Sequence, residues 1–335
     1  MKAAIYKGAK DILITELPDP VCGDHDIVVR NLYSAICGSD VHAYLHNGDA
    51  VRIFSNSEFG HEMVSEVVSV GKNVEGIHVG DRVYPYPIFC KDDTARSATV
   101  GGFSEYVLIP NCTLNHSVFL VEDQISDRVA SLIEPFTVGT HAAKIAKPKS
   151  GQKAIIFGAG MIGIASAIAL DHMGVEKIMI VDIADFRLRK AAELGFFTCN
   201  SATENLKEKA MEALGKGSGM MGETADADIY IDATGAAPII KTFQEMGKRY
   251  ATLSIVGVHY GVREMNLMAF TFSGHKMVGS PGYDFEDVQI VFDIMKSKKF
   301  DLDAIITDEY PLDQLEEAIQ KSSNPEESVK VVIRY

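Results

Sequence analysis

The run Gly158-Ala159-Gly160-Met161-Ile162-Gly163 follows directly on a buried-type strand, Lys153 to Phe157, and opens an apolar helix, Met161 to Met173. Only in that strand, turn and helix setting does a GxGxxG spacing constrain a fold. The first glycine makes a tight turn, the second lets the backbone approach a pyrophosphate, and the third permits close helix packing, while the helix N-terminus favours negative charge. The same rhythm continues with a strand at Lys177 to Val181 and a helix at Asp185 to Leu194 that stops at Gly195. Further strands are expected at Ala227 to Ile231, Thr252 to Val256 and Lys276 to Gly279. Strands alternating with helices imply a doubly wound parallel sheet.

Asp182 closes the second of these strands. A carboxylate there accepts hydrogen bonds from adenosine ribose hydroxyls and repels a 2′-phosphate, so NAD is expected in preference to NADP; the nearby Arg187 guanidinium pulls weakly the other way. Ile162 is expected near the adenine end. Gly257, Val258 and Ser280, at predicted strand ends, are expected toward the nicotinamide half.

Residues 1 to about 140 read differently. Short β-like runs at Lys2 to Tyr6, Asp26 to Ser34, Met63 to Val70, Arg82 to Tyr86 and Glu105 to Ile109 are broken by turn residues, with few long helical periods. This is a mostly-β unit. A helix at Phe285 to Lys296, another at Leu312 to Lys321 and a strand at Val329 to Ile333 are pieces that could return to it. The expected division is 1–145 with 282–335 for the mostly-β catalytic part and 146–281 for the cofactor part. The glycine-rich stretch from Gly215 to Gly222 reads as a surface loop.

Within the β part, Cys37-Gly38-Ser39-Asp40 with His42, and Gly60-His61-Glu62, adjoin glycines at the ends of β-like runs, where loops bring ligands together. A catalytic zinc takes thiolate, imidazole and carboxylate donors and keeps one position open. Cys37 and His61 are the candidate thiol and imidazole, and Glu62 and Glu134 the candidate carboxylates. Glu62 either ligates directly or supports a ligand from behind. Asp40 is placed to accept a hydrogen bond from an imidazole N–H.

Composition narrows the partners. The 46 acidic against 32 basic residues give a formal charge of -14, which repels phosphate backbones and anionic lipid, so no nucleic acid and no membrane are expected. Five cysteines without CxxC spacing fit a reducing compartment, and the opening residues carry no signal-type apolar run, so the cytoplasm is expected.

Taken together, these motifs resemble the medium-chain, zinc-dependent alcohol and polyol dehydrogenases along the whole chain. Gly60-His61-Glu62 with Gly71 and Val74 resembles the family's zinc signature, Cys37-Gly38-Ser39-Asp40 its first-ligand motif, and Gly101-Gly102-Phe103-Ser104-Glu105-Tyr106 its return strand. Leu132-Ile133-Glu134-Pro135 followed by Val138-Gly139 resembles the sorbitol, threonine and galactitol-phosphate dehydrogenase branch. The resemblance implies a GroES-like catalytic domain with a Rossmann domain. It further implies that Cys37 and His61 are fixed ligands, with Glu62 and Glu134 sharing the third protein position. Oxidation of a secondary hydroxyl of a polyol, sugar acid or similar metabolite would use NAD, with a proton relay through Ser39, the cofactor ribose and His42. A homodimer or homotetramer is implied as well.

This chain departs from the family pattern in three places. Ser65 stands where the signature has glycine. From Asp81 to Gly101 only Cys90 remains of a lobe that holds a structural zinc in many relatives, so one zinc per subunit and an unliganded Cys90 thiol are expected. Pro281-Gly282-Tyr283 replaces the aromatic and arginine of sorbitol-type members, leaving Tyr283 and His46 as candidates to line a pocket for hydroxylated substrates. Two other readings fit the same fold: a zinc-free quinone or enone reductase, and a non-catalytic cofactor-binding protein. Zinc content separates the first, and NADH formation the second.

Overall fold

Six parallel strands form one sheet in the order Phe197–Asn200, Lys177–Asp182, Lys153–Phe157, Ile229–Asp232, Thr252–Ile255, Lys276–Gly279. The strand order reverses between Lys153–Phe157 and Ile229–Asp232, which opens a crevice at their carboxyl ends, the place where such sheets bind ligands. This computed structural model describes residues 1–91 and 101–335. The sheet belongs to a compact unit spanning Pro135–Asp301; Met1–Glu134 and Leu302–Tyr335 form the other unit.

The strands of the parallel sheet are near-continuous apolar runs because both faces are covered. Ile155, Phe157, Met179, Val181, Tyr230 and Leu253 pack with Phe243 and Leu214 in one cluster. The helix Met161–His172 is buried almost all round. The helix Ile133–Ile145 was not foreseen from the sequence; Pro135 sits in its first turn, where a missing N–H costs nothing. The stretch expected as a loop at 215–222 is instead a hairpin: Lys216–Gly219 pairs antiparallel with Gly222–Ala225. Its glycines hide it from pattern reading, since they supply no side chains to alternate.

In the other unit, a largely antiparallel sheet runs Ile306–Pro311, Lys330–Arg334, Ile27–Ala35, Glu62–Val70, Arg82–Pro85, Val118–Leu120, with Tyr106–Ile109 also pairing to Ile27–Ala35. The last strand and the helix Leu315–Ser322 thus return to this unit, whereas the helix Phe285–Ser297 stays with the parallel sheet. Ser65, on Glu62–Val70, is buried and donates to Asn31 Oδ1 at 2.7 Å. The Asn31 amide in turn donates to the carbonyls of Gly102 and Ser104. A hydroxyl in place of glycine therefore fixes the amide that pins the 101–104 turn. Cys90 packs in an apolar cluster with Ile27, Val83 and Val118. Residues 92–100, part of the shortened lobe, lie outside the described residues. Among the described residues no helix is long and apolar enough to cross a membrane.

Candidate active site

Sheet register brings the metal-type donors together. Ala35 pairs with Glu62, so Cys37, two residues past the end of one strand, meets His61, one residue before the start of its neighbour. Gly60 makes the approach possible: it has φ +88, and a Cβ there would stand 2.7 Å from the Phe103 ring. Gly102 N–H donates to Gly60 O at 3.0 Å, closing the turn from the other side. The ligand atoms of Cys37, His61 and Glu62 all lie within 4.8 Å of one another. Glu134, buried in the first turn of its helix, is not part of that group, though its charge acts on His61.

Electrostatics fit a bound cation. Burial alone would lower the His61 pKa, but the Cys37 thiolate, a Cys37 hydrogen bond, Asp40 and Glu134 together hold it well above the ordinary value. A proton on that imidazole does part of the work of a positive ion among acidic donors. Asp40 is pushed up to about 6 by burial, against the opposing pull of His61 and the Cys37 N–H. Its Oδ2 accepts from the backbone N–H of Cys37 at 2.9 Å rather than from an imidazole, and its buried Oδ1 has no partner. A thiolate, an imidazole and a carboxylate within reach of one point are a zinc donor set.

Lys330 was not singled out from sequence. The residue is 3% exposed, and its ammonium donates to Ile36 O at 2.8 Å and pairs with Glu62 Oε2. Three neighbouring strands thus deliver Lys330, Cys37 and Glu62 to one spot. The helix Gly38–Leu45 starts right after Cys37 and carries Ser39 and His42. The Ser39 hydroxyl is buried with no hydrogen-bond partner, a group poised for a ligand.

In the parallel sheet, Gly158 has φ +105, and a Cβ on Gly163 would fall 1.8 Å from Gly158 O, so neither tolerates a side chain. Gly160 differs. A Cβ there would meet only Arg187 Nη1, at 3.6 Å, so open space fronts the helix N-terminus beside a guanidinium. That cradle fits a pyrophosphate. Asp182 accepts from Ala159 N at 2.6 Å and from Ile183 and Ala184 N–H groups, which fixes its carboxylate against the turn. Ile162 lies in the first helical turn.

At the next strand ends, Gly235 and Gly257 let two loops touch: a Cβ on Gly257 would stand 2.1 Å from Gly235 N. Asp232, fully buried, accepts from Thr234 N, Thr234 Oγ1 and Gly235 N, and pairs with His259 Nε2 at 2.6 Å. Sequence reading passed over this pair, which anchors the loop carrying Gly257 and Val258. Val258 is exposed, and the Ser280 hydroxyl is buried without a partner.

A doubly wound sheet with a glycine cradle, and a β unit with a Cys-His-Glu group, define a zinc-binding dehydrogenase. Comparison with known proteins agrees: residues 23–117 match the alcohol dehydrogenase GroES-like domain and residues 161–297 the zinc-binding dehydrogenase domain, and the chain belongs to this family. It is 27% identical over 347 residues to L-threonine 3-dehydrogenase of Serratia proteamaculans, with 98% of each chain covered. Its structure is similar to that of 2R,3R-butanediol dehydrogenase from Bacillus subtilis, with a TM-score of 0.86, 26% identity and 100% and 99% of the two chains covered. Galactitol-1-phosphate dehydrogenase from Escherichia coli, at 20% identity and a TM-score of 0.82, shares the fold. The protein is accordingly a zinc-dependent oxidoreductase acting on CH–OH groups with a nicotinamide dinucleotide.

Proposed function

We infer that this chain oxidises a secondary hydroxyl of a polyol, sugar acid or related hydroxylated metabolite to a ketone, using NAD. The observation that carries this reading is the Cys37, His61 and Glu62 group. Its relatives named for L-threonine and for 2R,3R-butanediol act on secondary alcohols by those names. A zinc-free reductase would have no use for this donor set, and a non-catalytic protein none for the orphaned Ser39 hydroxyl beside it.

Cys37, His61 and Glu62 would hold the zinc, with Glu134 the alternative carboxylate. When bound, the metal supplies Lewis acidity to the substrate hydroxyl, and the nicotinamide supplies the hydride acceptor. Ser39 Oγ would accept the hydroxyl proton, and the His42 imidazole, on the same helix, would carry it onward. Lys330 holds Glu62 in place, and Asp40 holds the Cys37 backbone. Asp182 would accept hydrogen bonds from the adenosine ribose hydroxyls and so favour NAD over NADP, with Arg187 beside the phosphate cradle. The apolar packing of Cys90 supports a single zinc per subunit. A cytoplasmic homodimer or homotetramer completes the reading.

The test is NADH formation by zinc-loaded protein with polyols, sugar acids, phosphorylated polyols and hydroxy amino acids, run in parallel with NADP. Turnover on one class establishes the reading and names the substrate. A blank panel with zinc shown to be bound by elemental analysis refutes it, and two zincs per subunit retained after free metal is dialysed away refute the assignment of one tightly held zinc.

A further inference from the structure

We propose that His42 and His46 form a second divalent-cation site, distinct from the Cys37 group, whose filling by excess metal arrests turnover. The arrest, though not the binding, rests on the relay role given to His42 above. Four residues apart, the two histidines share one face: His42 lies on the helix Gly38–Leu45 and His46 caps its C-terminal end. Their ring centroids are 5.0 Å apart with planes inclined at 57°.

That spacing suits a shared ion. Two imidazoles sharing one tetrahedral ion at about 2.0–2.1 Å per nitrogen stand with ring centroids roughly 5 Å apart. A pair of histidines at i and i+4 on one helix face is a known zinc-binding arrangement, here completed by water. His46 is exposed and His42 partly so, which leaves an ion a route from solvent. The chain's charge of -14 raises the local concentration of cations.

The two sites would fill in sequence. The first offers a thiolate, an imidazole and a carboxylate. The second offers two neutral nitrogens, so it binds more weakly and takes metal only after the first is full. An ion on His42 occupies a ring lone pair that the proton relay needs. Metal supply then sets both a floor and a ceiling on activity.

Zinc-loaded enzyme is equilibrated with Ni2+ alone, which favours imidazole, and nickel and zinc are counted separately. The expected result is one nickel per subunit with the zinc retained, together with loss of most NADH formation and recovery when a chelator lowers free nickel. His46→Gln should weaken nickel binding at least tenfold and shift inhibition by the same factor, each rate being taken relative to that variant's own nickel-free rate. His42→Gln should lose the nickel as well. No nickel beyond the zinc at millimolar concentration, or equal binding by His46→Gln, overturns the site. Nickel bound without inhibition, or inhibition that tracks zinc loss, overturns the arrest. The nickel count needs no turnover, so a failed dehydrogenase reading and a failed second site show up separately.

Discussion

Lys330 and Glu62, 268 residues apart in the chain, form a buried ion pair beside the Cys37 and His61 donors. Coulomb attraction between them is opposed by the cost of desolvating both charges, so the pair contributes little net stability as a pair. Breaking it is another matter, since it strands a charge. Lys330→Met should destabilise the fold by about 3–5 kcal/mol. It should also weaken zinc binding roughly 10–100-fold, the usual effect of removing a group that orients a metal ligand. Thermal unfolding and chelator competition measure the two. An unchanged zinc affinity would mean that Glu62 is held by something else.

Cys37→Ala should leave no stoichiometric zinc and no activity, because a three-ligand site cannot lose its thiolate. Between the carboxylates, Glu62→Gln should weaken zinc binding more than Glu134→Gln, since only Glu62 lies within the group of donor atoms. Equal losses in chelator titrations would show that the two exchange at the metal.

Two glycines of the dinucleotide turn should part company. Gly163→Ala places a Cβ 1.8 Å from Gly158 O and should lower stability by about 1–3 kcal/mol or more. Gly160→Ala meets only the end of Arg187 and should leave the melting temperature nearly unchanged while cutting NADH affinity at least tenfold, because the methyl enters the cradle. Fluorescence titration with NADH beside thermal melts checks both; similar melts for the two variants would refute the packing argument.

His275 is buried, and burial lowers its pKa below the ordinary 6.5, against the pull of its bonds to the carbonyls of Gly247 and Lys248. Its Nδ1 is buried without a partner, so a proton added there has no acceptor. The unfolded chain therefore takes up this proton first. The stability contribution is complete above pH 6.5 and is lost as pH falls from there through the depressed folded value. His275→Gln should flatten the decline of melting temperature with acid in that window; an identical slope in both proteins rules the residue out as its source.

The dinucleotide turn and the Cys37 and His61 loops were legible because each is a local pattern: a strand, a glycine at a forced conformation, a helix start. Glu62 was legible as a neighbour of His61, but its partner was not. Lys330 sits on a strand whose place beside Ile27–Ala35 is set by sheet order, which no spacing in the sequence encodes. Asp232 and His259 were hidden for the same reason, since loops after two different strands meet only in the folded sheet. The helix Ile133–Ile145 escaped because it is buried on nearly every side and so lacks the polar stripe that marks an amphipathic helix. The hairpin at 216–225 escaped because its pairing is carried by backbone alone.

The Lys330 contact also bears on how the protein is made. Glu62 leaves the ribosome long before its counter-charge, and at roughly 5–20 residues per second the delay across 268 residues is on the order of tens of seconds. Throughout that interval the Glu62 carboxylate, beside Cys37 and His61, has no Lys330 ammonium to balance it. A metal ion captured during synthesis would supply the missing positive charge, so zinc availability should govern how much newly translated chain escapes aggregation as well as how active the finished enzyme is.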